Sequence, residues 1–332
     1  MACMSFLRLT QNGFRQSVRP MAKPLLHPCL RKSWFFFRRR LAHTVLLACA
    51  LGVAGNTLAQ SRTLERIRAS GVVVIGHRES SLPLSYVAGG VPMGYSVDVC
   101  LHVAQALARH LQLREHRVQY RMVTSSSRFD AIEKGEVDIE CGSTTNTAAR
   151  RQRVAFTIAH FIASSRIVVR SARPYERIED LDGKAVASTA GTTNIESLVR
   201  EAAMKSINLR IVPAKDHAEG FGWVVDGKVE GFAMDDVLLY GLRASHARPQ
   251  DLKVIGKPMT IEPYAVAFER GNPELKAVVD AELRRLIHTR ELHRLYDKWF
   301  MSPIPPHGIN LGMRMPHLLV DSLKYPTDYV PQ

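Results

Sequence analysis

Glu140-Cys141-Gly142-Ser143-Thr144-Thr145-Asn146, with Arg150 four residues further on, is the stretch from which the rest of this chain can be read. Val137 and Ile139 lead into it as a strand, Gly142 reads as a turn, and the hydroxyl cluster reads as the first turn of a helix. A helix start carries free backbone N–H groups and the positive end of a dipole, so it can seat an anion. An arginine one turn into that helix adds a planar, permanently charged fork that fits a carboxylate at two points. Taken singly, a hydroxyl-rich turn is more often an ordinary helix cap. The remaining chain has to supply the second half of a site.

Working outward, strand and helix patterns alternate. Upstream, Gly71 to Gly76 is a β-branched run bounded by glycines, a buried strand. Asp98 to Leu113 places Val99, Val103, Leu107 and Leu111 at helical spacing, and His116 to Val123 returns to a strand. Phe129 and Ile132 mark a short helix. Downstream, strands are expected at 167–170, 181–189, 208–214, 229–234 and 252–256. Gly191-Thr192-Thr193 opens a second helix with the same anion-competent start. Two other strands end on charged residues, at Lys215-Asp216-His217 and at Asp235-Asp236. The pattern then changes: Tyr264 to Phe268 is one more strand, and Pro273 to Phe300 is a long amphipathic helix or helix pair. The tail, with Pro303, Pro305 and Pro306, shows no clear periodicity and is expected to drape over a surface. The fold class is α/β, with mostly parallel sheets in two lobes joined by extended crossings. Ligands of such sheets bind beyond the carboxyl ends of the strands.

The chain of 332 residues has a formal charge of +14, which would suggest a nucleic-acid partner if it were spread evenly. It is not. Residues 1–59 hold nine Lys or Arg and no acid, leaving 36 basic against 31 acidic residues in the remainder. Nucleic-acid binding thereby loses its main support. Those 59 residues read as an export signal: a basic cluster at Arg38-Arg39-Arg40, an apolar run from Leu41 to Ala54, and small residues at Thr57 and Ala59 before cleavage at Gln60. The long stretch before the cluster points to a start at Met4 or Met21. The apolar run is too short for a comfortable membrane span. Cys100 and Cys141 are the cysteines beyond this leader, and two readings stay open: a disulfide of an exported protein, or two buried thiols.

Beyond about residue 62 the chain resembles the periplasmic solute-binding proteins of ABC-type amino-acid importers, bacterial extracellular solute-binding protein family 3, and within them the glutamate/aspartate-binding group. The resemblance rests on Ile75 to Ser81, Gly94-Tyr95-Ser96, Thr124-Ser125 with Arg128, Glu140 to Asn146 with Arg150, Gly191 to Thr193, Ala214 to His217, Met234 to Asp236, and Lys298 to Phe300 before Pro303 to Pro306. It implies a periplasmic binding protein-like fold of type II, with two α/β lobes, a hinge and a ligand cleft between them. Residues 60–161 would form the first part of lobe 1, 162–262 lobe 2, and 263–332 the return to lobe 1 with a C-terminal helix and tail.

The roles implied follow position by position. Ser143, Thr145 and Arg150 hold the backbone end of an amino acid, Thr193 meets the same α-carboxylate from the other lobe, and Asp235 accepts the α-ammonium. Arg78, Ser125, Arg128 and His217 gather at the distal carboxylate. Each also has a plainer reading. Arg78 alone would pass for a solvated surface charge, His217 for a structural histidine, Asp235 or Asp236 for a helix cap, and Thr192 for a turn support. Met residues and Trp223 and Trp299 read as core. Ser126-Ser127 and the proline in Glu262 to Ala267 depart from the family pattern. The function implied is non-enzymatic capture of L-glutamate or L-aspartate, without cofactor or metal, by a periplasmic monomer that serves an inner-membrane permease and its ATPase. A dehydratase-like enzyme of the same fold is the alternative, and turnover of a candidate ligand separates the two. A sensory receptor domain would need a membrane helix after the lobes, and residues 301–332 contain none.

Overall fold

The structure is a computed structural model and describes residues 62–330. The leader expected over residues 1–59 lies outside the described residues. The first sheet is built from β1 (Val72–His77), β5 (Arg117–Met122), β6 (Ile139–Glu140), β7 (Ala155–Phe156) and β15 (Ala267–Phe268), in the order β5-β1-β6-β15-β7. Between β1 and β5 in the chain, the short strands β2 (Ser80–Ser81), β3 (Ser85–Ala88) and β4 (Val91–Met93) form a small antiparallel sheet of their own. The second five-stranded sheet is built from β9 (Ser165–Arg170), β10 (Ala185–Thr189), β11 (Arg210–Ala214), β12 (Gly231–Asp235) and β13 (Leu252–Ile255), in the order β11-β10-β12-β9-β13. The sequence favours mostly parallel sheets, and each five-stranded sheet is instead mixed. β1 runs parallel to β5 and β6, and β10 parallel to β11 and β12, because helices cross over between them. The strands next to the passage between sheets, β9 and β15, run antiparallel to their neighbours. The chain enters the second sheet directly and returns directly, with no crossover helix to reverse its direction.

Two extended segments connect the lobes. β8 (Phe161–Ala163) and β14 (Glu262–Tyr264) pair antiparallel, with Phe161 opposite Tyr264 and Ala163 opposite Glu262. The run 264–268, which reads as one strand, is thus divided between two sheets. Aromatic rings anchor the crossing. Phe161 stacks on Tyr264, Tyr296 and Phe300 with centroids 5.3 to 6.2 Å apart, and the Tyr95 hydroxyl donates to the His160 carbonyl at 2.8 Å. Such ring pairs contribute about 1 kcal/mol each beyond area burial.

Helix α1 (Arg62–Ser70) precedes β1, and α2 (Tyr95–His110) begins three residues before the expected Asp98. Short α3 (Arg128–Glu133) precedes β6. In the second lobe α4 (Thr193–Met204), α5 (His217–Val225) and α6 (Asp236–Ser245) each follow a strand end. The 273–300 segment is a helix pair, α7 (Pro273–His288) and α8 (Glu291–Tyr296), broken where Arg290 adopts a left-handed φ of 61°. The tail contains a helix, α9 (His317–Lys324), that its weak pattern did not reveal. Only Leu319 and Leu323, one turn apart, are buried from it.

Cys100 on α2 and Cys141 after β6 form a disulfide with a Cα–Cα distance of 6.2 Å. It closes a loop with a sequence separation of 41, for which loss of chain entropy in the unfolded state contributes about 4 kcal/mol. The C100A/C141A double variant is expected to lose about that much unfolding free energy. Urea denaturation of the oxidised protein and the variant measures it, and coincident transitions would contradict the estimate.

Candidate ligand-binding cleft

The opening stretch does not start a helix. Cys141 N–H donates to the Gly76 carbonyl at 2.8 Å, Asn146 N–H to the Pro263 carbonyl at 2.8 Å, and Ala265 N–H to the Thr144 carbonyl at 3.1 Å. Thr145 forms an isolated bridge with Tyr264. Pairing with the returning chain holds the segment extended, and helical structure begins only as a single 3₁₀ turn at Arg150–Gln152. The segment therefore offers side chains and a carbonyl, not a helix dipole. The second expected start does form. Thr192 takes the N-cap position of α4, and its hydroxyl donates to the Thr189 carbonyl at 2.7 Å, leaving the helix N–H groups without a side-chain cap.

The two lobes meet around this helix start. Gly191 has φ +75°, and a Cβ there would lie 2.8 Å from the Ser125 carbonyl oxygen of the first lobe. Only glycine allows that conformation together with that approach. The Gly191 carbonyl accepts from Arg128 Nη2 at 3.2 Å and Arg150 Nη2 at 3.3 Å. A tight cavity of only about 10 Å³ lies here, lined by Ser125, Arg128, Ser143, Thr145, Arg150, Thr192, Thr193, His217, Met234 and Asp235. Eight of the nine expected site residues are thus brought together. Arg78 stands behind them and donates to Ser125 Oγ. Thr192 and Met234 are additional lining residues. Met234 sits next to Asp235 on β12, and its apolar side chain carried no signal that separated it from core.

Burial settles several plainer readings. Arg78 and Arg128 are 4% and 2% exposed, so neither is a solvated surface charge. Asp235 takes the N-cap position of α6, and at the first helical position Asp236 Oδ1 accepts from Ser164 N–H at 3.1 Å and Val237 N–H at 2.7 Å. The Asp235 carboxyl makes no capping bond and accepts from Asn194 Nδ2 at 3.3 Å.

Three guanidiniums lie close together, those of Arg78 and Arg128 buried and that of Arg150 half-buried. Burial lowers the pKa of each, and for Arg128 the charges of Arg150 and Arg78 lower it further. His217 is held well below its usual range by burial and then by Arg78 and Arg128, so it is neutral. Its Nδ1 lies 2.8 Å from Thr189 Oγ1. With the threonine hydroxyl donating, the proton falls on Nε2 and makes it a donor. Burial, and then the Glu262 charge, push Asp235 up to about 8. Among the described residues Arg78 Nη1, Arg128 Nε and His217 Nε2 are buried without hydrogen-bond partners. Donors in that condition are costly unless an acceptor meets them. Their convergence suits a small anion that brings its own acceptors.

Residues 73–302 match the model of the bacterial extracellular solute-binding proteins, family 3. The chain belongs to this family. It is 38% identical over 290 residues to the L-glutamate/L-aspartate-binding protein of Pseudomonas aeruginosa, covering 87% of this chain and 96% of that one. It is 33% identical to the glutamate/aspartate import solute-binding protein of Escherichia coli, covering 86% and 96%. Among solved structures, a cysteine-binding protein from Campylobacter jejuni superposes with a TM-score of 0.64 at 24% identity, over 71% of this chain and 92% of that one. That last likeness concerns the fold alone.

In this solute-binding protein Gly142 keeps the site loop close to its cations. A Cβ there would lie 2.4 Å from Glu140 Oε1 and 2.8 Å from Arg78 Cγ. Gly142→Ala is expected to displace the Arg78 stem and weaken binding of an anionic ligand about tenfold or more, in line with the 1–3 kcal/mol typical of overpacking. Calorimetry checks it, and unchanged affinity would show that the stem yields without consequence.

Proposed function

We propose that this protein captures L-glutamate or L-aspartate between its lobes in the periplasm and presents it to an inner-membrane ABC permease with its ATPase. The observation that carries this reading is the convergence of Arg128, Arg150 and the Asp235 carboxyl on one cavity, with Arg78 buried behind it and buried nitrogens of Arg78, Arg128 and His217 left without partners among the described residues. An acidic amino acid has two carboxylates and one ammonium. It needs two cationic stations and one anionic acceptor, and the ligands named for the two bacterial relatives agree with that chemistry.

In this reading Arg150, Ser143 and Thr145 hold the α-carboxylate from the first lobe, and Thr193 at the uncapped start of α4 holds it from the second. Asp235 takes the ammonium. Arg78, Ser125, Arg128 and His217 take the side-chain carboxylate. Residues 60–161 and 263–332 act as one lobe and 162–262 as the other, moving about the β8–β14 crossing as ligand shifts the population toward the closed form. The protein works as a monomer, is exported by its leader, and releases the ligand unchanged.

Calorimetry of the mature protein against the amino acids tests the proposal. Glutamate or aspartate is expected to bind at least about a hundredfold tighter than its amide, because the amide leaves buried guanidinium charge unpaired. Equal affinity for glutamate and glutamine, or a product that accumulates from a bound ligand, would overturn it.

A further inference from the structure

Glu140 is a buried charged group beside this site that the assigned roles leave unused. Its side chain is 0% exposed, and among the described residues neither carboxylate oxygen has a hydrogen-bond partner. The backbone fixes its position, since β6 pairs Glu140 with Gly76 on one side and with Ala267 on the other. Gly142 makes room for the side chain: a Cβ there would lie 2.4 Å from Glu140 Oε1 and 2.8 Å from Arg78 Cγ. The carboxylate therefore runs beside the Arg78 stem; its charge is the leading one acting on Arg78 and reaches Arg128 and Arg150 as a lesser influence. Among the described residues it forms no ion pair within contact distance of any of them.

A buried carboxylate with neither a contacting cation nor a hydrogen bond is a poor device for stability, and an apolar side chain of similar size would serve the core better. It is, however, well placed to modulate a field. Resting on the acidic-amino-acid reading, we propose that Glu140 is a specificity-determining counter-charge. It offsets part of the positive potential of Arg78 and Arg128, so that an acidic side chain is recognised yet held loosely enough to be released. The cationic side of the site is thereby tuned from behind, by a group that never touches the ligand. A neutral ligand side chain feels this charge far less than an anionic one does.

The near-isosteric variant Glu140→Gln removes the charge and keeps the shape. Glutamate is expected to bind it about tenfold tighter, mainly through slower dissociation, while glutamine changes less than about threefold. Titration calorimetry of both ligands and stopped-flow dissociation read this out. A parallel change in the two affinities, or weaker glutamate binding, would make Glu140 a structural residue and overturn the inference. E140M gives the same comparison on a side chain with no hydrogen-bonding demand, should the glutamine variant fold poorly. Wild-type protein belongs in the same series. Failure of the wild type to prefer an acidic amino acid would sink the functional reading itself, whereas a wild-type preference unchanged in both variants would sink only the role of Glu140.

Discussion

Arg128→Ala is expected to weaken glutamate binding a hundredfold to a thousandfold while leaving the protein folded. The guanidinium is 2% exposed, lies 4.7 Å from the Phe129 ring centroid, and bonds across the cleft to the Gly191 carbonyl. Its Nε has no partner among the described residues. Truncating one member of a desolvated, hydrogen-bonded charge pair costs about 2–5 kcal/mol, which is the origin of the expected range. Folding should suffer little, because the same change relieves repulsion from Arg78 and Arg150. The ligand-free melting temperature is therefore expected to hold or to rise, while glutamine affinity falls much less than glutamate affinity. Undiminished glutamate binding would remove Arg128 from the side-chain pocket. A collapse of stability would make it a structural residue instead.

The contrast between these two readings of one arginine shows which parts of the site were legible in sequence. As a lone arginine in a loop Arg78 passes for a surface charge, and Arg128 carries no local signal of its own. Only their place in an ordered set of family motifs marked them as cleft residues, and the structure accounts for that place by burying both at the ends of local elements, β1 and α3. The alternation of strand and helix was legible where strands are short β-branched runs, as in β1 and β9, and where helices show an apolar stripe, as in α2. What local pattern did not carry was long-range pairing. The 143–145 segment looks like a helix start because hydroxyls after glycine favour caps, yet its backbone groups are engaged by residues 263–265, more than a hundred positions away. The same pairing divides the 264–268 strand between two sheets. Glu140, Glu262 and Met234 escaped attention for a related reason. Glu140 and Met234 sit within strands and Glu262 begins one; Met234 lines the cavity, Glu262 meets it by accepting from Thr193 Oγ1 at 2.9 Å, and Glu140 acts on it through its charge beside Arg78.

At the generic end of the ligand, Asp235→Asn is expected to abolish binding of every α-amino acid, by a factor of at least about a hundred. Asparagine keeps the shape and the bond from Asn194 but cannot balance an ammonium. A dicarboxylic acid that lacks the amino group provides the control, because its affinity should be unchanged or improved. The wild type should show a linked pH dependence. Burial beside Glu262 raises Asp235 to about 8, so without a cation beside it the carboxyl keeps its proton through neutral pH. An ammonium favours the ionised form and lowers that pKa, so the ligand displaces a proton whenever it binds below pH 8. Affinity for the amino acid should therefore rise with pH from about 6 to 8, by at most one decade per unit, and level off above. In Asp235→Asn, and for the ligand without an amino group, this pH dependence should be lost. A flat wild-type profile, or retained amino-acid binding in the variant, would place the ammonium elsewhere, with Glu262 as the nearest carboxylate able to take it.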